Sequence, residues 1–334
     1  MLINLASICS LLLVLLPFST ALAPTREIYR FPRDVLIENS VFRPSGSLLV
    51  TAASVSKLYQ LDPSVPSSQP ILIHEFTEVT AILGLTETTL DTFYLVATNS
   101  SLSQIIPPPG ANRIFRVSFH HPNDTDAEIR LVATLPDAGL LNGITTLDAN
   151  TVLASDSAKG VVHAINVETG TSRIVIKDPL MAPLSNLTSP GLNVGINGLH
   201  VQDNYLYFTN TIRGIFARIA VNADGTPAGT PATVIVNGTA FDDFVLRPNG
   251  GAFLAAETSN EIVDVGANGG QKVVAGNLNS TEIAEPTSVI FGRGVEKGKL
   301  IVTTAGGFGF PVNGNEIVGG QVIEVDLKGS GYRK

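Results

Sequence analysis

Short apolar runs with period-two alternation follow one another along almost the whole chain, and no stretch carries a helical period of any length. The runs fall into six similar units. Each has a short polar opening, an apolar strand, a turn, and a second apolar strand that ends in small polar residues. The second strands read Ser47–Thr51, Thr92–Thr98, Thr151–Asp156, Tyr205–Asn210, Ala252–Glu257 and Lys299–Thr304. Their spacing, roughly fifty residues, suits four-stranded propeller blades. Third strands are expected at Lys57–Leu61, Arg113–Val117, Val161–Ile165, Gly214–Ile219, Glu261–Val265 and Gln321–Val325. Fourth strands follow Gly-, Asp- and Pro-rich turns at Ile71–His74, Ile129–Val132, Arg173–Ile176, Thr233–Val236 and Lys272–Val274. The sixth unit ends at its third strand, and Arg26–Arg30 at the other end of the chain can supply the missing one. That closure removes an exposed sheet edge. The pattern predicts an all-β, six-bladed β-propeller, with a seven-bladed ring or a long sandwich as the next-best architecture.

In a propeller the first strand of each blade lines the central axis. The leading residues of five such strands are polar: Glu38-Asn39, Asn142-Gly143, Asn197-Gly198, Asp242-Asp243 and Thr287-Ser288. Apolar residues such as Val41, Ile144, Leu199 and Phe244 follow them. A ring of polar groups above an apolar strand body is the arrangement expected of a binding site. Turn geometry or ordered water would account for any one of these residues alone. Two insertions, Ser100–Ala111 and Pro179–Ile196, are long enough to cover one mouth of the axis or to be plain surface loops.

Composition narrows the setting. The net charge is -8 with no basic run, which argues against nucleic acid or an anionic membrane surface as partner. Small molecules remain. Residues 1–23 read as a secretory signal, with the apolar run Leu11–Leu16 and an Ala21-Leu22-Ala23 cleavage site that would be cut after Ala21 or Ala23. The run is too short to span a bilayer comfortably, so no stable membrane insertion is expected. The mature chain, 24–334, is then one propeller domain, secreted or held in the lumen of the secretory pathway. Its only cysteine, Cys9, falls in the leader, so disulfides and thiol chemistry are excluded. N-x-S/T sequons at Asn99, Asn123, Asn186, Asn237 and Asn279 fit glycosylation of surface loops.

The inventory is poor in nucleophiles. There is no G-x-S-x-G elbow and no Ser beside a His at an axial opening. His200, three residues into an inner strand, is the one histidine near the axis. Gly306-Gly307-Phe308-Gly309 follows a strand but precedes no helix, so it is not a phosphate loop.

Glu38-Asn-Ser-Val41, Asn142-Gly143, Asn197-Gly198 and Asp242 resemble the axial residues of the gluconolactonase/senescence-marker-protein family. The resemblance implies one divalent metal, Ca²⁺, Mg²⁺ or Mn²⁺, held by Glu38, Asn142, Asn197 and Asp242. The chain departs from that family in having Ser40 where Pro is common, and Asp242-Asp243 in place of Asp-Gly. Glu38-Asn39 followed by Arg43 and Gly46-Ser-Leu-Leu-Val-Thr51, with the later Asp242-Asp243-Phe244, resembles a secreted fungal branch of these propellers. That branch includes the hetero-Diels–Alderases of tropolone sesquiterpenoid pathways, which join a tropolone-derived quinone methide to a hydroxylated humulene by inverse-electron-demand [4+2] cycloaddition.

Two enzymatic expectations and one non-catalytic expectation follow. A pericyclase needs no cofactor. It holds two reactants face to face and donates hydrogen bonds to the heterodiene oxygen. Asn142, Asn197 and Asn39 are candidate donors, with Thr287 and Ser288 behind them and Phe244 against the terpene. A lactonase would use one divalent cation to polarise the carbonyl, with Asp242 or Asp243 as general base. The register across Asp-Asp-Phe leaves both aspartates open. The third expectation is a secreted binding propeller without catalysis.

Overall fold

A computed structural model describes residues 21–65, 68–101, 106–185, 193–248 and 250–330. Most of the leader segment therefore lies outside the described residues. Six four-stranded antiparallel sheets form the blades of a β-propeller. Blades one to five span residues 37–75, 81–135, 141–177, 196–237 and 241–276. Blade six takes three strands from 286–326, and Thr25–Arg30 completes it by pairing antiparallel with Gln321–Asp326. Adjacent inner strands contact one another around the whole ring, the sixth against the first.

Cohesion comes from between the blades. Six apolar clusters are present, each built from neighbouring blades. The one that closes the ring joins Ile28, Ile301 and Val322 to Ile37, Leu48 and Val50. Each large side chain buried this way contributes about 1.5–3 kcal/mol. No helix among the described residues is long and apolar enough to cross a membrane.

Every inner strand carries a register break at the same place. The breaks fall between Ile37 and Ser40, Ile82 and Leu85, Leu141 and Ile144, Ile196 and Leu199, Phe241 and Phe244, and Pro286 and Ser288. A bulge re-aims side chains and leaves backbone groups without ladder partners. Hydroxyls at the ends of the second strands satisfy them. Thr51 Oγ1 accepts from Asn39 N–H at 2.9 Å, and Ser155 Oγ accepts from Gly143 N–H at 2.9 Å. The same hydroxyls stitch blade to blade: Ser155 donates to the Asn197 carbonyl, Thr209 to that of Asp242, and Thr303 to that of Glu38. This is why the second strands end in small polar residues.

Candidate active site

The bulges set two residues per blade toward the axis. The first of each pair is Glu38, Leu83, Asn142, Asn197, Asp242 and Thr287, and all six line one cavity of about 540 Å³. The second is Asn39, Gly84, Gly143, Gly198, Asp243 and Ser288, one position deeper along the strands. Glycine is required where neighbouring bulges pass closely. A Cβ on Gly143 would stand 2.6 Å from the Asn197 carbonyl oxygen, and one on Gly198 would stand 2.4 Å from Asp243 Oδ1.

The deeper ring is a closed floor, not a binding surface. Asp243 accepts from Asn39 Nδ2 at 2.8 Å and from its neighbour Phe244 N–H at 2.8 Å, pairs with His200 Nε2 at 3.0 Å, and is approached by Ser288 Oγ at 3.4 Å. Asn39, Asp243 and Ser288 therefore do not line the cavity, contrary to the roles expected of them. Phe244 is displaced further. It is 1% exposed and packs edge-on against Phe216 and His200 in the core between blades four and five. The bulge resolves the choice between the two aspartates: Asp242 faces the cavity and Asp243 seals it from below.

The carboxyl groups are confined to part of the cavity wall. Blades one to four contribute Leu36, Ala53, Ala81, Leu83, Leu140 and Val194, with the uncharged polar Thr80, Asn142, Asn197 and Thr211 set among them. Blades five, six and one contribute Asp242, Glu257, Glu285 and Glu38. No Lys, Arg or His stands among the lining residues. Glu257 and Glu285 were not anticipated, because Glu257 passes for the polar end of a second strand, although it opens a short 3-10 turn, and Glu285 stands just before its inner strand. Aligning the repeats exposes both. Glu257 stands where other blades have Ala53, Thr98, Ser157, Thr211 and Ala305. Glu285 stands where they have Leu36, Ala81, Leu140, Gly195 and Ala240.

Four carboxyl groups without a cation hold their protons tightly. Burial, then the charges of Asp243 and Glu285, push Glu38 from 4.5 up to about 7. Burial also carries Glu285 up to about 7, against the pull of the backbone N–H groups it binds. Asp242 is raised well above the usual carboxylate range by burial and by Glu38, Glu257, Asp243 and Glu285. Glu257 is raised likewise by burial, Glu285 and Glu38.

Hydrogen-bonding capacity can be read group by group. Asn142 and Asp242, 8% and 4% exposed, make no side-chain hydrogen bond within the described residues. Asn197 spends one N–H on Thr211 Oγ1 at 2.9 Å and keeps its other N–H and its carbonyl. Thr287 donates to the Ile37 carbonyl at 2.8 Å and to Thr303 Oγ1 at 3.1 Å, so it faces the cavity only as an acceptor. Glu38, Asn142, Asn197 and Asp242 offer oxygen alone, a donor set that fits a hard divalent cation. Among the described residues no three carboxylate or imidazole side chains come together as a metal site, so an ion here would depend on the two asparagines.

Among the sequon residues, Asn123, Asn237 and Asn279 are exposed, Asn99 is partly exposed beside the cavity-lining Ser100 and Ser101, and Asn186 lies outside the described residues. From the two insertions, Ser100, Ser101 and Val194 reach the cavity, while 102–105 and 186–192 lie outside the described residues.

No family model matches the chain. It is 26% identical over 314 residues to a Phoma sp protein described as "Putative hetero-Diels-Alderase", covering 85% of this chain and 86% of that protein. A protein of the same description from Sarocladium schorii is 25% identical over 344 residues, covering 92% and 84%. Among solved structures, a luciferin-regenerating enzyme superposes with a TM-score of 0.65 at 11% identity, covering 91% of this chain and 95% of that one. Regucalcin from Agrobacterium tumefaciens, described as calcium-binding, superposes at 0.60 with 14% identity, covering 91% and 93%. At such identities the structures speak for the fold alone.

Proposed function

We propose that this chain is a hetero-Diels–Alderase, a pericyclase that joins a tropolone-derived quinone methide to a humulene-type sesquiterpene, acting in a secretory lumen or outside the cell. The mixed lining of the cavity carries the reading. One reactant is a flat, oxygen-rich heterodiene and the other is a mostly hydrocarbon terpene with one reacting alkene. A chamber that sets Asn142 and Asn197 among Leu36, Ala81, Leu83 and Leu140, with carboxyl groups from blades five, six and one, receives such a pair face to face. Orientation alone can supply up to about 7–11 kcal/mol when the geometry is good.

The polar groups do the electronic work. Electron density moves into the heterodiene oxygen during the reaction, and a donor placed there gains strength in the transition state. Asn142 has both N–H groups free, Asn197 has one, and a protonated Glu38 adds a carboxylic acid O–H. Asn39 is withdrawn from this role because its N–H is bound to Asp243. The two relatives described as hetero-Diels-Alderases support the same reading. This reaction needs no cofactor.

The second reading, lactone hydrolysis, is favoured by the all-oxygen donor set of Glu38, Asn142, Asn197 and Asp242. A bound cation would polarise the lactone carbonyl there. Asp242 would then be the base that takes a proton from water. Purified protein incubated with a quinone-methide precursor and a hydroxylated humulene, with and without chelator, separates the readings. Accelerated formation of a single cycloadduct diastereomer that survives chelation is expected. A background rate of cycloaddition, together with chelator-sensitive hydrolysis of a sugar lactone, overturns the pericyclase reading.

A further inference from the structure

Blade six, like blade two with its Ser100 and Ser101, sends a long connection to the cavity. Its second and third strands, Lys299–Thr304 and Gln321–Asp326, are joined by the connection 305–320, and Phe308 and Gly309 of that connection line the cavity. The connection is attached to Glu285. The Ala305 N–H donates to the Glu285 carbonyl at 2.7 Å. The side chain receives Gly309 N–H at 3.0 Å on each oxygen and Phe310 N–H at 3.0 Å on Oε1. Glu285 itself is 2% exposed and holds φ at +54°, a conformation that a non-glycine residue rarely adopts. Asn260 Oδ1 fixes it there by accepting the Glu285 N–H at 2.8 Å. A buried charge and a strained backbone at one residue, where five blades have uncharged side chains, exceed what blade closure needs. Gly306 and Gly307, at φ +71° and +83°, flank the attached segment.

We propose that Glu285 is a positioning residue for substrate selection: its carboxylate holds the 305–311 segment as a roof and so sets Phe308 as the wall against which the apolar part of the ligand packs. The proposal concerns ligand fit and stands whether the reaction is cycloaddition or hydrolysis. The ionisable groups facing Glu285 across the cavity are Glu38, Asp242 and Glu257, and no basic side chain lines it. Deprotonation strengthens the carboxylate as an acceptor for the loop N–H groups. The roof therefore tightens as pH rises through about 7 and loosens below it.

The chain contains no tryptophan, so Phe308→Trp places a single tryptophan in the roof, to be excited selectively over the six tyrosines. In the F308W protein, acrylamide quenching is expected to be weak at pH 8 and at least twofold stronger at pH 5.5. Adding Glu285→Gln should give strong quenching at both pH values and weaken α-humulene binding, read by the same emission, at least fivefold. Adding Glu38→Gln instead should keep the difference between pH 5.5 and pH 8, with its midpoint at or below that of F308W alone. Gly309→Ala tests the contact from the loop side, since its Cβ would stand 2.5 Å from Glu285 Oε1, and should loosen the roof even if the Glu285 variant does not fold. Quenching that is unchanged by E285Q, or by G309A where E285Q does not fold, overturns the proposal.

Discussion

Replacing Glu38 by Gln should stabilise the protein increasingly as pH rises above about 4.5, with the full gain reached above about 7. The Glu38 carboxyl titrates at about 7 in the folded chain and at the ordinary 4.5 when unfolded. Between those values the folded state keeps a proton that the unfolded state has lost. Stability from this group is therefore fully present below about 4.5 and falls as pH rises to about 7. At about 1.36 kcal/mol per pH unit, the loss is about 3 kcal/mol at pH 8. A carboxamide carries no charge at either pH, so E38Q avoids that loss. It also relieves Asp242 and Glu257, both of which are raised by the Glu38 charge. Urea unfolding of both proteins at pH 4.5 and pH 8 measures the difference. Near-equal midpoints are expected at pH 4.5, with E38Q more stable by about 3 kcal/mol at pH 8 and an unchanged slope. Equal differences at the two pH values, or a less stable E38Q at pH 8, would refute the electrostatic account of the cavity.

Leu83→Asn makes the sixth ring position polar. It should raise KM for the hydrocarbon partner by about tenfold, corresponding to about 1.4 kcal/mol of lost apolar contact, and leave KM for the oxygenated partner within twofold. Away from the cavity, Arg43 is fully buried, forks onto Asp91 at 2.9 and 2.7 Å, binds Gln60 and the backbone carbonyls of Asp124 and His121, and lies 3.4 Å from the Phe119 ring centroid. Asp91→Asn leaves that charge unpaired and should cost about 3–5 kcal/mol in urea unfolding, without change in cycloadduct diastereomer ratio. Finally, Ala23 is 4% exposed, packs with Val274 and Val325, and donates its N–H to the Val274 carbonyl at 2.7 Å. If residues 1–23 hold a cleaved secretory signal, a cut that preserves this contact falls after Ala21, and intact-mass analysis of protein recovered from the secretory route should find Leu22 as the first residue.

The architecture was legible because propeller strands advertise themselves. Alternation marked strands whose ends differ by at most three residues from those observed, and the shortfall in blade six pointed to Thr25–Arg30. The polar ring was legible for the same reason, since it repeats. What period-two reasoning lost is the bulge. Strict alternation sends consecutive residues to opposite faces, so Asp242-Asp243-Phe244 could be threaded in two ways, and Phe244 could be placed near the ligand. The bulge lets both aspartates approach the axis at different depths and turns Phe244 into the core. Glu257 escaped because it passes for the polar end of a second strand, and Glu285 because it stands just before its inner strand. Leu83 escaped because it broke a polar pattern, although that break marks an apolar part of the cavity wall.

The charge of the cavity links the competing chemistries. Four carboxyl groups facing one chamber of about 540 Å³ with no basic side chain cannot all ionise without something to offset them. Protons serve this purpose at and below neutral pH and leave neutral acids that donate hydrogen bonds, which a cycloaddition uses. A divalent cation would serve above it and would leave carboxylates and amide oxygens as ligands, which a hydrolase uses. The same residues thus support either activity, and the species that neutralises them decides which. Protons and cation must then compete for Glu38 and Asp242. If the cavity is a cation site, millimolar Ca²⁺, Mg²⁺ or Mn²⁺ should restore the stability that wild type loses at pH 8, and should do little for E38Q. If it is a proton-bearing site, the added ions leave the pH profile where it was.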